Sequence, residues 1–330
     1  MPRQISLSRA LSAAVLVVSA FFATARAEAA GTGQIFVSNE ASHEVIVYSP
    51  RDYAIVKRIK TSRRPRDMHF NNAHTHLYVA CGDDDVIDVI DLASLTVVDH
   101  IPTGPSPEMF EFSADNKLIY LSNEENSSVQ VISVADKLIV HEIATGAEPE
   151  GISISEDGKT VYATSEIADM VHVIDPVAEV VTANIVVGTR PRRFIMTKAE
   201  LWVTDELSGD VAIIDRAANT VKQILRFTPP GFRVDDVTPV GITMTKDQKT
   251  AFVTLGRANH VAFVDVAAKK ITDYILVGSR AWGVDLSRDE KTLYVSNGLS
   301  DDVSIIDIPS KKNVRSIPAG RTPHSIIVDD

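Results

Sequence analysis

The sequence predicts an all-β fold: a seven-bladed β-propeller with four antiparallel strands per blade. Three observations carry that expectation. A five-residue β segment returns seven times, a valine- and isoleucine-rich run follows each copy, and the last residues supply a strand that the first copy lacks.

The recurring segment occupies residues 35–39, 77–81, 119–123, 161–165, 201–205, 251–255 and 293–297, and successive copies start 42, 42, 42, 40, 50 and 42 residues apart. So regular a period marks a repeat architecture, in which each unit buries its apolar face only against its neighbours. The second run lies at residues 45–48, 86–92, 129–134, 171–175, 211–215, 261–266 and 303–308. Its β-branched composition suits a buried strand. A third strand follows, as at residues 139–143, and a Thr-Gly or Val-Gly step then leads through proline into a fourth, as at residues 151–154. Four short strands joined by hairpin-length turns make one blade.

The turns have their own logic. Residues 113–117, 155–159 and 287–291 read as tight hairpins with a position that tolerates left-handed backbone. Asp91, Asp175, Asp215, Asp265 and Asp307 end the second run in five units and read as turn caps accepting backbone N–H groups. Gly104, Gly146, Gly188, Gly278 and Gly320 read as permissive backbone ahead of the fourth strand. The chain ends on Pro323-His324-Ser325-Ile326-Ile327-Val328, the strand missing from the first unit. Residues 324–328 are therefore expected to pair beside residues 34–39, so that one blade is built from both ends of the chain and no edge stays open at the join.

Residues 1–27 have the form of an export signal: Arg3 and Arg9, an apolar stretch from Leu11 to Phe22, and a small-x-small site at Ala25-Arg26-Ala27. The apolar stretch is too short to span a bilayer. The expected organisation is thus a signal peptide over 1–27 and one propeller domain over 28–330, exported to the periplasm. Net charge is −11, and the signal holds three arginines and no acid, so the remainder is more acidic still. That balance argues against nucleic-acid partners, which need a positive face. Cys81 is the single cysteine, which excludes an internal disulfide, a Cys-x-x-Cys-His haem attachment and a zinc-thiolate cluster. It reads as a small buried strand residue.

Leu293-Tyr294-Val295-Ser296-Asn297 followed by Val303-Ser304-Ile305-Ile306-Asp307 resembles the YVTN family of β-propeller repeats, and the resemblance extends over residues 33–330. Cys81, Ser165, Asp205 and Leu255 replace the usual Asn, and Ala251 breaks the apolar start. In length, signal, blade count and starting phase the chain is further similar to the secreted β-propeller proteins associated with PQQ-dependent alcohol catabolism. That likeness implies a periplasmic accessory role beside a quinoprotein dehydrogenase, cytochrome or transporter component, with no catalytic residues to carry over.

A site is expected where the innermost strands begin. The residue after the repeated proline gives Arg66, Glu108, Glu150, Arg192, Val240, Trp282 and His324 around the channel mouth, with Arg193 beside them. Arginines suit a carboxylate ligand and Trp282 a planar ring. PQQ, planar with three carboxylates, fits that chemistry, although no cofactor is required by the sequence. Glu40, Glu124, Glu125, Glu166 and Glu206 follow the repeat segment on the same face and read as solvated loop carboxylates, the alternative being an acidic rim for a cation or basic partner. The 50-residue interval reflects an insertion over residues 227–237, where Phe232 and Arg233 are the candidate partner contact. His69, His74 and His76 read as an exposed turn rather than a metal site. No esterase elbow, His-Glu-x-x-His or phosphate loop occurs. The expected function is a non-catalytic binding or scaffold protein with a protein partner or small anionic ligand. The alternative is a lactonase-like hydrolase using Glu108, Glu150, Arg192 and His324.

Overall fold

A computed structural model of the chain describes Met1 and residues 31–330, so the signal-peptide expectation lies almost wholly outside the described residues. Seven four-stranded antiparallel sheets follow one another around a central channel, and the only helical turn among the described residues is the 3₁₀ segment Val234–Asp236. The fold is the seven-bladed β-propeller that the repeat predicts. Blade 1 is the composite one: its innermost strand Pro323–Asp329 pairs antiparallel with Gln34–Asn39, placing Val328 opposite Ile35 and Ile326 opposite Val37. The innermost strands of blades 2 to 7 are Pro65–Phe70, Pro107–Phe112, Pro149–Ile154, Pro191–Met196, Ile242–Met244 and Ala281–Leu286.

Between blades, apolar side chains of facing sheets interdigitate. Phe36, Val45, Val47 and Ile59 of blade 1 meet Met68, Leu77, Val79 and Cys81 of blade 2 in one such layer. Cys81 is fully buried there, and burial pushes its thiol well above the ordinary range. The aspartate caps behave as the sequence predicts. Asp175 Oδ1 accepts the N–H groups of Val177 and Ala178 at 2.8 and 2.9 Å, and those two bonds hold its carboxyl below the usual value. Asn116, Gly158 and Glu290 take the left-handed turn position, at φ of 56°, 68° and 57°.

The glycines repeated from blade to blade need a different explanation from the expected one. None of Gly104, Gly146, Gly188, Gly278 and Gly320 is among the positive-φ residues, and the left-handed position falls two residues later, at Ser106, Glu148, Arg190, Arg280 and Thr322. A Cβ on these glycines would instead run into the neighbouring strand: Asn123 and Gln130 at Gly104, Asp205 at Gly188, Asn39 at Gly320. Close approach, not backbone freedom, selects them.

A second repeated device joins the innermost strands. The Ser or Thr at the fourth position of the repeat segment accepts an N–H from its own innermost strand and donates to a carbonyl of the next blade. Thr254 Oγ1 accepts Gly241 N–H at 2.8 Å and donates to Trp282 O at 2.8 Å. Ser296 links Gly283 to His324, Ser38 links Ser325 to Arg66, Ser122 links Met109 to Glu150, Thr164 links Gly151 to Arg192, and Thr204 links Arg193 to Val240. Blade 2 has Ala80 at that position, and there the Asp67 carboxylate crosses to blade 3 to accept Phe110 N–H at 3.1 Å. Every carbonyl held this way belongs to the mouth residue of the next blade. Thr164→Val keeps the shape but leaves Gly151 N–H and Arg192 C=O unpaired. It is expected to lower stability by about 1–3 kcal/mol in urea unfolding, while the surface change Thr96→Val shows no such loss.

Candidate functional site

Five of the seven mouth positions, Arg66, Glu150, Arg192, Trp282 and His324, line one cavity of about 340 Å³ at one end of the channel, and Glu108 and Val240 do not. Alternating pairs of arginine and glutamate form its wall. Arg66 pairs with Glu108 and, at 2.9 Å, with Glu40; Arg192 pairs with Glu166 and, at 3.2 Å, with Glu150. Glu206 stands 3.6 Å from Arg192 Nε and 3.5 Å from Arg190 Nε. On the far wall two guanidiniums lie over the Trp282 ring, Arg280 at 4.5 Å and Arg192 at 5.2 Å from its centre. His324 tilts against Trp282 at 5.6 Å between ring centres and meets Arg66 through Nε2 at 3.3 Å.

Electrostatics fix the protonation of this wall. Burial works against the charge of Glu150, but Arg192, Arg66, Arg193 and Arg190 outweigh it and hold the carboxyl below the usual range. Burial and the same arginines act together on His324 and push its pKa well below the ordinary imidazole value. At neutral pH the mouth therefore presents a neutral imidazole among ionised pairs. Among the described residues of the mouth, buried Trp282 Nε1 has no hydrogen-bond partner. Unpaired buried donors mark a place where an acceptor from a ligand or water would be stabilised.

Several sequence-predicted residues sit elsewhere than expected. Glu108 is on the ring but buried beneath Arg66 and Arg64, outside the cavity wall. Arg193 points below the mouth into an inner compartment of about 220 Å³, reaching His324 from beneath at 3.4 Å, because successive strand residues alternate sides. Glu166 and Glu206 are not solvated: buried against Arg190 and Arg192, they are structural parts of the wall. Phe232 is not an exposed contact, since it turns inward, packs on His260 at 5.3 Å and joins the core between blades 5 and 6, leaving Arg233 exposed. His69 lies on the innermost strand inside the channel, not in the turn. There His74 stacks on Phe70 and His76 meets Thr75, so the three do not converge.

Three site residues escaped the sequence reading. Arg64, Arg190 and Arg280 precede the proline or alanine that opens the innermost strand, and their left-handed backbone swings the side chains over the mouth. The signal was present as the doublets Arg64-Pro65-Arg66 and Arg190-Pro191-Arg192.

Comparison with known proteins places this geometry in a family. The family description "Choice-of-anchor I domain" matches residues 124–303, more than half of the chain. The chain belongs to that family. A second description, a YNCE-like β-propeller, matches residues 42–159, so a β-propeller family holds from both directions. No curated protein matches this choice-of-anchor I chain. Among solved structures it is similar to hydrazine synthase of Kuenenia stuttgartiensis, at 20% identity over 83% of this chain and 92% of the other, with a TM-score of 0.75. It is similar to the periplasmic gluconolactonase PpgL of Pseudomonas aeruginosa at 19% identity over 89% and 98%, with a TM-score of 0.75. A functionally unknown protein of Desulfotomaculum acetoxidans matches at 15% identity over 89% and 98%, with a TM-score of 0.74. At these identities the likeness is one of fold.

Two channel histidines are expected to titrate in opposite senses. Burial opposes charge on His69, but Asp67 at 3.0 Å and Glu111 raise its pKa to about 9. Its contribution to stability is then complete below the ordinary value near 6.5 and is lost as pH rises through about 9. In an NMR titration His69 should inflect near pH 9, and His324 should show no inflection between pH 6 and 8.

Proposed function

We propose that this protein is an exported, non-catalytic binding protein whose channel mouth holds a small planar anion, serving as accessory to a PQQ-dependent alcohol oxidation system in the periplasm. The observation that carries the reading is Trp282 beside Arg192 and Arg280 in the cavity lining, with its indole N–H buried and unpaired. The indole N–H offers a neutral donor and the adjacent guanidiniums offer bidentate ones, the contacts that a carboxylate needs. Arg64, Arg190 and Arg280 keep side-chain exposures of 31%, 42% and 34%, and so remain accessible beside glutamates that are already paired. PQQ itself, or a partner dehydrogenase, cytochrome or transporter component that carries it, is the ligand class this chemistry suits.

The hydrolytic alternative draws on the neighbour named as a gluconolactonase. A general base would have to come from Glu150 or His324. Glu150 is held ionised by arginines, and His324 meets arginines and Ser325 with no carboxylate to orient it. That wall is suited to holding an anion and poorly suited to taking up a proton.

Titration of the purified protein with PQQ, followed by calorimetry and by tryptophan fluorescence, should give saturable one-site binding. Arg280→Met should weaken it by about tenfold or more, the scale of one charge-assisted hydrogen bond, and Trp282→Leu should do likewise. Absence of binding to PQQ, together with turnover of a lactone panel, would replace this reading with the hydrolytic one.

A further inference from the structure

Blade 5 contains an acid pair that the mouth chemistry does not use. Asp205 ends the strand Glu200–Asp205, and Asp210 begins the next, Asp210–Asp215, directly opposite it in the antiparallel register. Asp205 is fully buried and Asp210 is 5% exposed. Both carboxylate oxygens of Asp205 and Oδ1 of Asp210 lack a hydrogen bond of good geometry among the described residues, although the Gly188 and Ala212 N–H groups approach Asp205 and favour its charged form. Among the described residues, the cation paired with this site is Arg226 on the outer strand Thr220–Arg226, 3.7 Å from Asp210 Oδ2 and itself largely solvent-exposed.

The other blades show what this position normally does. Blades 1, 3 and 7 carry Asn39, Asn123 and Asn297 there. In blade 7 the register is the same, with Asn297 opposite Asp302, and Asn297 Nδ2 donates to Asp302 Oδ1 at 3.2 Å. Replacing that amide by the Asp205 carboxyl removes the donor and sets acid against acid. Two ionised carboxylates cannot share a buried site without repulsion, whereas one proton between them restores the missing donor. A Cβ added to Gly188 would lie only 2.7 Å from Asp205, so the space beside the carboxyl is closed and a proton is the counter-charge that fits.

We propose that Asp205 and Asp210 hold a single proton between them, making the turn that joins them a pH-responsive latch on the channel mouth. That turn carries Glu206, which faces Arg190, Arg192 and, at 4.0 Å, Arg280. It also bears on the insertion, since the Val234 and Val237 carbonyls pass against Gly209. Loss of the proton sets two like charges across the strand ends and loosens the turn that positions Glu206. Burial first, then Asp210, raises the Asp205 pKa to about 8, and Asp210 is raised as well. The folded protein thus binds a proton that the unfolded chain has already released, so stability falls as pH rises from the ordinary aspartate range towards about 8.

The latch is testable without any ligand, whereas its effect on the mouth rests on the binding reading above. Infrared spectra at pH 7 should contain a protonated-carboxyl band that Asp205→Asn removes. The thermal midpoint of Asp205→Asn should exceed that of the unsubstituted protein at pH 9, with the gap closing by pH 5. If Asp205→Asn fails to fold, Asp210→Asn gives the same two readouts. No protonated-carboxyl band at pH 7, or a gap independent of pH, overturns the proposal. With PQQ as probe, affinity should fall above pH 8 in the unsubstituted protein and stay level in Asp205→Asn. Unaltered affinity with the infrared band present would leave the shared proton in place and sever only its link to the mouth, overturning the latch.

Discussion

The hydroxyl that ties an innermost strand to the next at six of the seven joints is the interaction on which the rest of the molecule depends. Blade-to-blade packing is otherwise apolar and non-directional, so it sets spacing without fixing the height of one strand against another. A Ser or Thr that accepts from its own blade and donates to the next removes that freedom. Because each bonded carbonyl belongs to a mouth residue, the device that closes the ring also sets the residues around the channel at one level. Gly151, Gly241 and Gly283 follow from the same closeness: a Cβ at any of them would collide with the backbone of the adjacent innermost strand.

Once set at one level, the mouth residues had to be compatible in charge. Arginine and glutamate alternate around the wall, and pairs such as Arg66–Glu108 and Arg192–Glu166 are buried on both sides. Buried ion pairs of this kind return little net stability, because desolvation offsets most of the attraction. Their effect is on geometry. With the glutamates committed, Arg192 and Arg280 are both held over the Trp282 ring. The neutral state of His324 has a related origin, since burial and the arginines gathered around it oppose its charge.

The architecture was legible because repetition makes it so. Tyr294-Val295-Ser296-Asn297 and its six counterparts announce the strand, and the unpaired final strand announces the closure. The ring positions were legible too, being one step past a repeated proline. What a linear sequence hides is the direction and depth of each side chain. Arg193 differs from Arg192 by a single position and faces a different compartment. Glu166 looks like any loop acid until Arg190 and Arg192 close over it. Phe232 sits in an insertion whose length suggests display, yet its ring packs edge-on against His260 and onto the core between two blades. Arg64, Arg190 and Arg280 were overlooked because attention fell on the residue after proline, while the left-handed turn before it proved equally able to aim a side chain.

Blade 2 departs from its siblings in a way that reaches beyond its own sheet. Where Ala80 offers no hydroxyl, Asp67 spans the seam to Phe110 and shares the same oxygen with His69. A neutral fastener has been exchanged for an ionisable one, so the channel lining and the cohesion of that joint are no longer separable properties. Any variation that tunes the polarity of the inner compartment at Asp67 must also renegotiate how two sheets are held together, which confines the drift of this wall more tightly than that of the six others.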